Sequence, residues 1–356
     1  MLKCTRNLEN ILRLVLTDSF CAPGSSEFWT SLQQVSPHLK DLAKQIPSLL
    51  LQDKAPSTVK NYLAAFRRWV AWANQMELPS FPAQATDIAL YLVHLMQSGS
   101  GKAPVIQALA AVHWMHIKAD HKDPTTHPTV SQLKEAICRI LSRPACRRIP
   151  LSLSQFRQVL GTLSHHPQSL ADKQLAAFFS LGFTALLRWD DLSRLKASDI
   201  RCYPSHMRVF LQQRKNDQFR DGQYVIVSRN DDSNVCSVAA VKSFLQEGHH
   251  HPSDPLFRRV IRAPMSGDYL PGKMSYTRAR ELIREGLQRP GIHPDGLGTH
   301  SLRSGGATAA ANASVADRLI PRHMHGGWRC ATSQHCYIEE NLSDLMSVSQ
   351  HIMGIH

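Results

Sequence analysis

The chain has 356 residues, a length that favours two domains over one. Its 41 Lys and Arg against 28 Asp and Glu give a net charge of +13, which favours a polyanionic partner such as nucleic acid. The eight cysteines form no C-x-x-C pair, and there is neither a secretion signal nor a long apolar run. We therefore expect an intracellular protein with reduced thiols and with no metal, no cofactor and no membrane contact.

The first part of the chain, up to residue 142, is predicted to be all-helical. Residues 1–54 show no sustained periodicity, and we expect a loosely helical arm there. From residue 55 onwards, apolar residues recur at helical spacing. Four helices are predicted, which begin near Ser57, at an N-cap at Asp87, at Pro104, and at a capping box formed by Thr129 and Gln132.

The first of these four helices has two contrasting faces. Its apolar stripe consists of Val59, Tyr62, Leu63, Phe66, Trp69, Val70 and Ala73. Lys60, Arg67 and Arg68 lie off that stripe, and we expect them to contact DNA.

Residues 143–151 interrupt the periodicity with two prolines and three arginines, which are Arg143, Arg147 and Arg148. We place a domain boundary here. Two interpretations are open: a basic tether whose arginines contact phosphates while the two domains hold a duplex, or an exposed linker that happens to be basic.

The second domain is predicted over residues 152–356 as helices around a small antiparallel sheet. Ser152 and Gln155 have capping-box spacing, and an apolar helix is expected over 172–187. Alternating residues predict two strands, one around Met207–Leu211 and one around Tyr224–Ser228, joined by a polar turn. Further helices are expected over 238–247, over 275–287 and on to the C-terminus.

Several polar residues of this domain stand in unusual positions. Arg188 ends an apolar run, where its desolvation is costly unless it meets an anion or an acid, and Asp191 lies one helical turn on and can orient it. Lys215 lies at the turn between the strands, where its ammonium group can swing towards a ligand. A simple ion pair and a solvated lysine are the plain alternatives.

The stretch THSLRSGGATAA begins a helix of small residues with His300 and Arg303 in its first turn. Gly305 and Gly306 behind them allow a close backbone approach. We interpret this as a helix packed closely beneath a phosphate that His300 and Arg303 reach together.

These residues, taken in order with Trp328 and Tyr337, resemble the tyrosine recombinase family of phage-integrase-like DNA recombinases. That family has an Arg, a hairpin Lys, His-x-x-Arg, a His or Trp, and a Tyr. The motifs HSLRSGG and GGWR most resemble those of mobile-element recombinases of the DIRS, Ngaro and Crypton type. The resemblance covers residues 55–356 and implies a four-helix SAM-like core-binding domain followed by an α+β catalytic domain.

The resemblance also implies a reaction. Tyr337 would attack a phosphodiester to form a covalent 3′-phosphotyrosine, and Lys215 would protonate the leaving 5′ oxygen. Arg188, His300, Arg303 and Trp328 would stabilise the charge on the phosphate. Rejoining would need neither ATP nor metal. The implied partners are double-stranded DNA and three further copies in a tetramer on two DNA sites, with a monomer in solution left open, and the implied setting is mobile-element integration in the nucleus.

Some assignments and functions stay open. Trp328 stands nine residues before Tyr337, as in the family, but His325 stands twelve before it and is the alternative; Arg214 lies beside Lys215. A type IB topoisomerase-like enzyme and a domesticated, non-cutting DNA-binding protein are the competing functions. The segment after Tyr337 either docks on a neighbouring protomer or packs within its own chain.

Overall fold

The computed structural model describes residues 27–143, 149–165, 169–212, 222–261, 269–313, 315 and 319–323. The chain divides into two compact units between residues 145 and 146. Each unit has a hydrophobic core of its own. Within the described residues, no helix has the length and apolarity needed to cross a membrane.

The described part of the first unit contains helices and no strand. Three short helices occupy the region predicted as an arm, and four longer ones follow, as the sequence predicts. They are α1 Glu27–Gln33, α2 Lys40–Ala43, α3 Ile46–Leu50, α4 Pro56–Gln75, α5 Ala85–Gln97, α6 Lys102–Lys118 and α7 Pro128–Ile140.

The amphipathic pattern of α4 explains its packing. Val59, Leu63, Phe66, Trp69 and Ala73 are buried in the core of the unit, as the helical spacing predicts. The aromatic rings of this face pack against residues of α5; the Trp69 and Tyr91 ring centroids, for example, are 5.3 Å apart. The opposite face of α4 is left to solvent.

Three predicted helix starts in this unit are wrong. Helix α6 begins at Lys102, two residues before the predicted start at Pro104. Helix α5 begins at Ala85, and Asp87 is a buried acid in its first turn rather than its cap. A carboxylate in the first turn interacts favourably with the helix dipole. Helix α7 is capped by His127, whose Nδ1 accepts the Thr129 N–H at 3.3 Å. The predicted Thr129 capping box fails because Pro128, a favoured first helical residue, moves the start of the helix forward.

The second unit combines helices with one sheet, as predicted. Its elements are α8 Leu153–Ser164, α9 Leu170–Phe183, α10 Trp189–Leu192, β1 Ile200–Cys202, β2 His206–Leu211, β3 Gln223–Ser228, α11 Ser237–Glu247, α12 Tyr276–Gln288, α13 Thr299–Asn312 and α14 Leu319–His323. The capping box at the start of α8 is confirmed: Ser152 Oγ accepts the Gln155 N–H at 3.1 Å, and Gln155 Oε1 accepts the Ser152 N–H at 3.0 Å.

The sheet is antiparallel with the order β1-β2-β3. The two predicted strands are β2 and β3, whereas β1 was not predicted because three residues are too few for an alternating pattern to show. Met207, Val209, Leu211, Val225 and Val227 point into the core, where α11 also packs. The other face of the sheet carries polar and aromatic residues together with Ile226.

Helix α9 ends at Phe183, four residues before the predicted end at Leu187. The reason is Leu186, whose φ of 53° lies in the left-handed region and cannot continue a helix. Its side chain is buried with those of Ala307 and Ile320, and this packing holds the unusual backbone. The chain therefore turns between α9 and α10, immediately before Arg188.

Candidate active site

Helix α13 makes direct backbone contact with its neighbours. A Cβ atom at Gly305 would overlap the carbonyl oxygen of Leu151, and one at Gly306 would overlap that of Phe183. The Leu151 N–H also donates to the Ser301 carbonyl at 2.9 Å. The small residues of this helix thus bring its first two turns against the start of α8 and the end of α9.

Arg303 lies on the buried side of α13 and is only 1% exposed. Its Nη1 donates a hydrogen bond to the Leu186 carbonyl, in the turn that precedes Arg188. A guanidinium group suits this place because it carries several donors in a fixed plane. Arg303 therefore links α13 to the turn between α9 and α10.

Asp191 is the acidic group of the same region and is only 6% exposed. Its Oδ2 accepts the main-chain N–H of Arg188 at 2.9 Å, so this bond fixes the start of α10. The sequence led us to expect that Asp191 orients the Arg188 side chain; the hydrogen bond seen here is to the main chain instead.

The charges of Arg188 and Arg303 both act on Asp191. Burial raises the pKa of the Asp191 carboxyl above its ordinary value, while the Arg188 N–H and the positive charges of Arg188 and Arg303 act in the opposite direction. The positive charges of two arginines that are far apart in the sequence thus both act on the carboxyl group of Asp191.

The three basic side chains differ in exposure. His300, one turn before Arg303 on α13, is exposed; Arg188 is half-buried, and Arg303 is buried. The main chain of the first turn is braced by Ser304, whose Oγ donates to the His300 carbonyl at 2.9 Å. The imidazole is therefore presented outward on a fixed turn.

His323 is a residue of this region that the sequence did not single out. Its Nε2 lies 2.8 Å from the Thr184 carbonyl oxygen, so this nitrogen carries the hydrogen and donates it. The bond ties α14 to the end of α9, close to the carbonyl that Arg303 holds. A histidine among many gives no distinguishing signal in a single sequence.

The remaining predicted site residues lie outside the described residues. These are Lys215, Trp328 and Tyr337, together with the alternative His325. Lys215 belongs to the segment that joins β2 to β3, which are paired up to Leu211 and Gln223.

The predicted DNA contacts of the first unit are exposed where they are described. Lys60, Arg67 and Arg68 lie on the solvent side of α4, and Arg143 is exposed after α7. Arg147 and Arg148 lie outside the described residues. No group of three or more His, Cys, Asp or Glu side chains in the described part of the chain is arranged to hold a metal ion.

Two relatives match the sequence over most of its length. An integrase/recombinase XerD homologue of Selenomonas ruminantium is 23% identical over 295 residues, which cover 82% of this chain and 84% of that protein. The Cre recombinase of Escherichia phage P1 is 25% identical over 284 residues, covering 76% and 80%. No protein-family model matches the chain.

Two solved structures share the fold. The XerH site-specific recombinase bound to a palindromic difH substrate superposes with a TM-score of 0.55 at 14% identity, covering 82% of this chain and 79% of that one. A lambda integrase tetramer bound to a Holliday junction gives a TM-score of 0.50 at 15% identity, covering 94% and 86%.

The chain has the fold of the tyrosine recombinases. Both the mainly helical architecture and the small antiparallel sheet agree with the fold that the sequence predicts. The sequence similarity extends over both units of this tyrosine recombinase-like chain. None of these similarities bears on the DIRS, Ngaro or Crypton type.

Proposed function

We propose that this chain is a site-specific DNA recombinase that cuts and rejoins duplex DNA through a covalent 3′-phosphotyrosine at Tyr337. The observation that carries the proposal is the hydrogen bond from Arg303 to the Leu186 carbonyl, which brings the start of α13, with His300 and Arg303, to the turn before Arg188. Three basic residues that are far apart in the sequence are thus gathered in one region. Positive donors held in place in this way suit the negative charge that develops on a phosphate diester.

The chemistry assigns each group a role. The hydroxyl of Tyr337 loses its proton to solvent as its oxygen attacks the phosphorus, a P–O bond to tyrosine forms, and the bond to the 5′ oxygen breaks. Lys215 gives its proton to that leaving oxygen, which becomes a 5′ hydroxyl. Arg188, Arg303, His300 and the indole N–H of Trp328 stabilise the negative charge that develops on the non-bridging oxygens.

Rejoining reverses these steps. A 5′ hydroxyl attacks the phosphotyrosine and returns its proton to Lys215, the bond to Tyr337 breaks, and the tyrosine oxygen takes a proton from solvent. Because the phosphotyrosine retains the diester energy, the reaction as proposed uses neither ATP nor metal.

Arg303 needs a change of exposure to act in this way. Its residue is 1% exposed in the structure, and one of its donors is engaged by the Leu186 carbonyl. A phosphate can reach the guanidinium group of Arg303 only when the residues that cover this side chain move aside. DNA binding would supply the anion that makes such a movement favourable, whereas His300 is already exposed.

The wider setting is also a proposal. Lambda integrase has been solved as a tetramer on a Holliday junction, which supports a homo-tetramer of this chain on two DNA sites. The resemblance of the HSLRSGG motif to mobile-element recombinases supports a role in mobile-element integration in the nucleus. A type IB topoisomerase-like enzyme and a domesticated DNA-binding protein are the alternatives that the experiment must separate.

The experiment captures covalent adducts from a library of nicked duplexes with a randomised core, since the nick lets the cut fragment diffuse away and traps the intermediate. We expect wild-type protein to form adducts that resist denaturation, and Tyr337→Phe to form none. Sequencing the trapped DNA gives the target site. Tight binding without adduct favours the domesticated protein; adduct with supercoil relaxation but no strand exchange favours the topoisomerase.

A further inference from the structure

The sheet of the second unit has one face in the core and one in solvent. On the solvent face, Arg201 of β1, Arg208 of β2 and Ile226 of β3 are direct cross-strand partners in a single row. Both arginines are exposed, and Ile226 is 53% exposed. We call this surface the outer sheet face.

The charges on the outer sheet face are unbalanced. Arg201 and Arg208 stand directly opposite each other, an arrangement of like charges that destabilises a strand pair. Neither β1, β2 nor β3 contains an Asp or a Glu. Among the described residues, no carboxylate lies within ion-pair distance of either arginine. An anion bound between them would offset the repulsion.

Aromatic rings flank the arginine row. On one side, Phe210 and Tyr224 are partners with ring centroids 4.9 Å apart, and Tyr224 is 55% exposed. On the other side, the Tyr203 ring stacks on that of His206 at 4.7 Å, and the Arg208 guanidinium lies 5.3 Å from the Tyr203 centroid. The exposed Tyr203, Tyr224 and Ile226 and the half-buried Phe210 thus form apolar surface around the two arginines, and contiguous apolar surface with a polar rim is typical of binding sites.

We propose that the outer sheet face binds a single-stranded segment of nucleic acid. Arg201 and Arg208 contact successive phosphates, and Tyr203, Phe210 and Tyr224 stack on unpaired bases. Sheets that combine exposed rings with positive charge bind single strands in this way. A duplex would engage the arginines but not the rings, because its bases are already stacked. This activity is separate from the proposed duplex cleavage.

The test measures binding of the full chain to a fluorescent oligothymidine of about 20 nucleotides by anisotropy, with excess unlabelled duplex present to occupy duplex-binding surfaces. The variants are Tyr224→Ala and the double change Arg201→Ala with Arg208→Ala. The matched controls are Tyr276→Ala and Arg157→Ala, which remove an exposed tyrosine and an exposed arginine elsewhere in the same unit.

Loss of one stacking ring is expected to weaken single-strand binding about 5- to 100-fold, with the controls close to wild type. The double arginine variant should bind less tightly while its melting temperature stays equal or rises, because a like-charge pair is removed. An oligonucleotide carrying 5-iododeoxyuridine should crosslink to Tyr203, Phe210 or Tyr224. The proposal is overturned if both variants bind the single strand as tightly as the controls do, or if the crosslinks map to other residues. It is also overturned if only the double arginine variant loses single-strand affinity and its duplex affinity falls by the same factor.

Discussion

The Arg303 guanidinium donates a hydrogen bond to the carbonyl oxygen of Leu186, a residue 117 positions earlier in the chain. Leu186 has a positive φ and leads directly to Arg188. Arg303, which is proposed to stabilise the substrate phosphate, therefore also stabilises the turn that positions Arg188.

Substitution of the two arginines should have different effects on stability. Arg303→Ala leaves the Leu186 carbonyl without its donor, and we expect the free energy of unfolding to fall by about 1–3 kcal/mol. Arg188→Ala removes a half-buried side chain and should cost less. Both should abolish cleavage while retaining most DNA binding. Denaturant unfolding and adduct formation, measured on both variants, test this; equal unfolding free energies would contradict the structural role of Arg303.

This double role bears on the alternative functions. A non-cutting descendant would still need Arg303 for its fold, so the presence of Arg303 says little about activity. Arg188 and Tyr337 discriminate better between an active enzyme and a domesticated one.

Because α13 lies against the backbone at the end of α9, adding a single methyl group at Gly306 should lower the free energy of unfolding strongly. In Gly306→Ala, the new Cβ would overlap the Phe183 carbonyl oxygen, and we expect a loss of about 1–3 kcal/mol or more. Gly161 of α8 is the control, because a Cβ there meets no atom within 4 Å. Gly161→Ala should stabilise by about 0.5–1 kcal/mol, since alanine is the better helix former. Thermal melting of both variants tests the prediction; similar melting temperatures would argue against backbone contact at α13.

His116 should make the first unit sensitive to acid. The side chain is fully buried, and its Nε2 accepts the Ala83 N–H at 2.9 Å. The hydrogen of the neutral ring is therefore on Nδ1, which donates it to the Val112 carbonyl at 2.7 Å. Burial lowers the pKa of His116 below its ordinary 6.5, and the Val112 bond opposes this only in part. The unfolded chain therefore takes up a proton before the folded chain does.

The free energy of unfolding should therefore decrease as the pH falls below about 6.5. This decrease ends once the pH is below the pKa of His116 in the folded chain. The protection factor of the Ala83 amide, which is its intrinsic exchange rate divided by its observed rate at the same pH, should fall over that interval. In His116→Gln, whose side chain does not titrate, the protection factor should depend less on pH. A wild-type protection factor that depends on pH no more than that of the variant would rule out His116 as the cause.

The exposed basic side chains of α4 predict the salt dependence of duplex binding. Replacing Lys60, Arg67 and Arg68 together by Ala should weaken binding and lower the slope of log affinity against log salt by about 0.9 for each phosphate that is no longer neutralised. The melting temperature should not change, because all three are exposed. Lys134→Ala, exposed on α7, is the control, and a triple variant with the salt slope of this control would exclude α4 as a DNA-binding surface.

The sequence predicted most elements because their patterns are local. The α4 stripe and the Ser152 capping box each lie within one helix, and the structure has both. The end of α9 could not be predicted in this way, because it depends on packing of Leu186 with Ala307 and Ile320, which are distant in sequence. The start of α7 is set locally, by Pro128 and by His127, an uncommon cap.

The candidate site was predictable only in part for the same reason. Order along the chain singled out Arg188, His300 and Arg303, but it did not reveal that Asp191 bonds to the main chain or that Arg303 is buried. The burial of Arg303 depends on the tertiary packing between α13 and the turn before α10. The bond from the Arg188 main chain to Asp191 is a local contact between residues three apart. The roles of Lys215, Trp328 and Tyr337 stay predictions.

Mass spectrometry of the trapped protein–DNA adduct tests the central claim most directly. After nuclease and protease digestion, we predict a single modified peptide that carries a nucleotide 3′ phosphate on the Tyr337 oxygen, and no such peptide from Tyr337→Phe. Attachment to another residue, or no adduct at protein concentrations that saturate DNA binding, would contradict the recombinase mechanism.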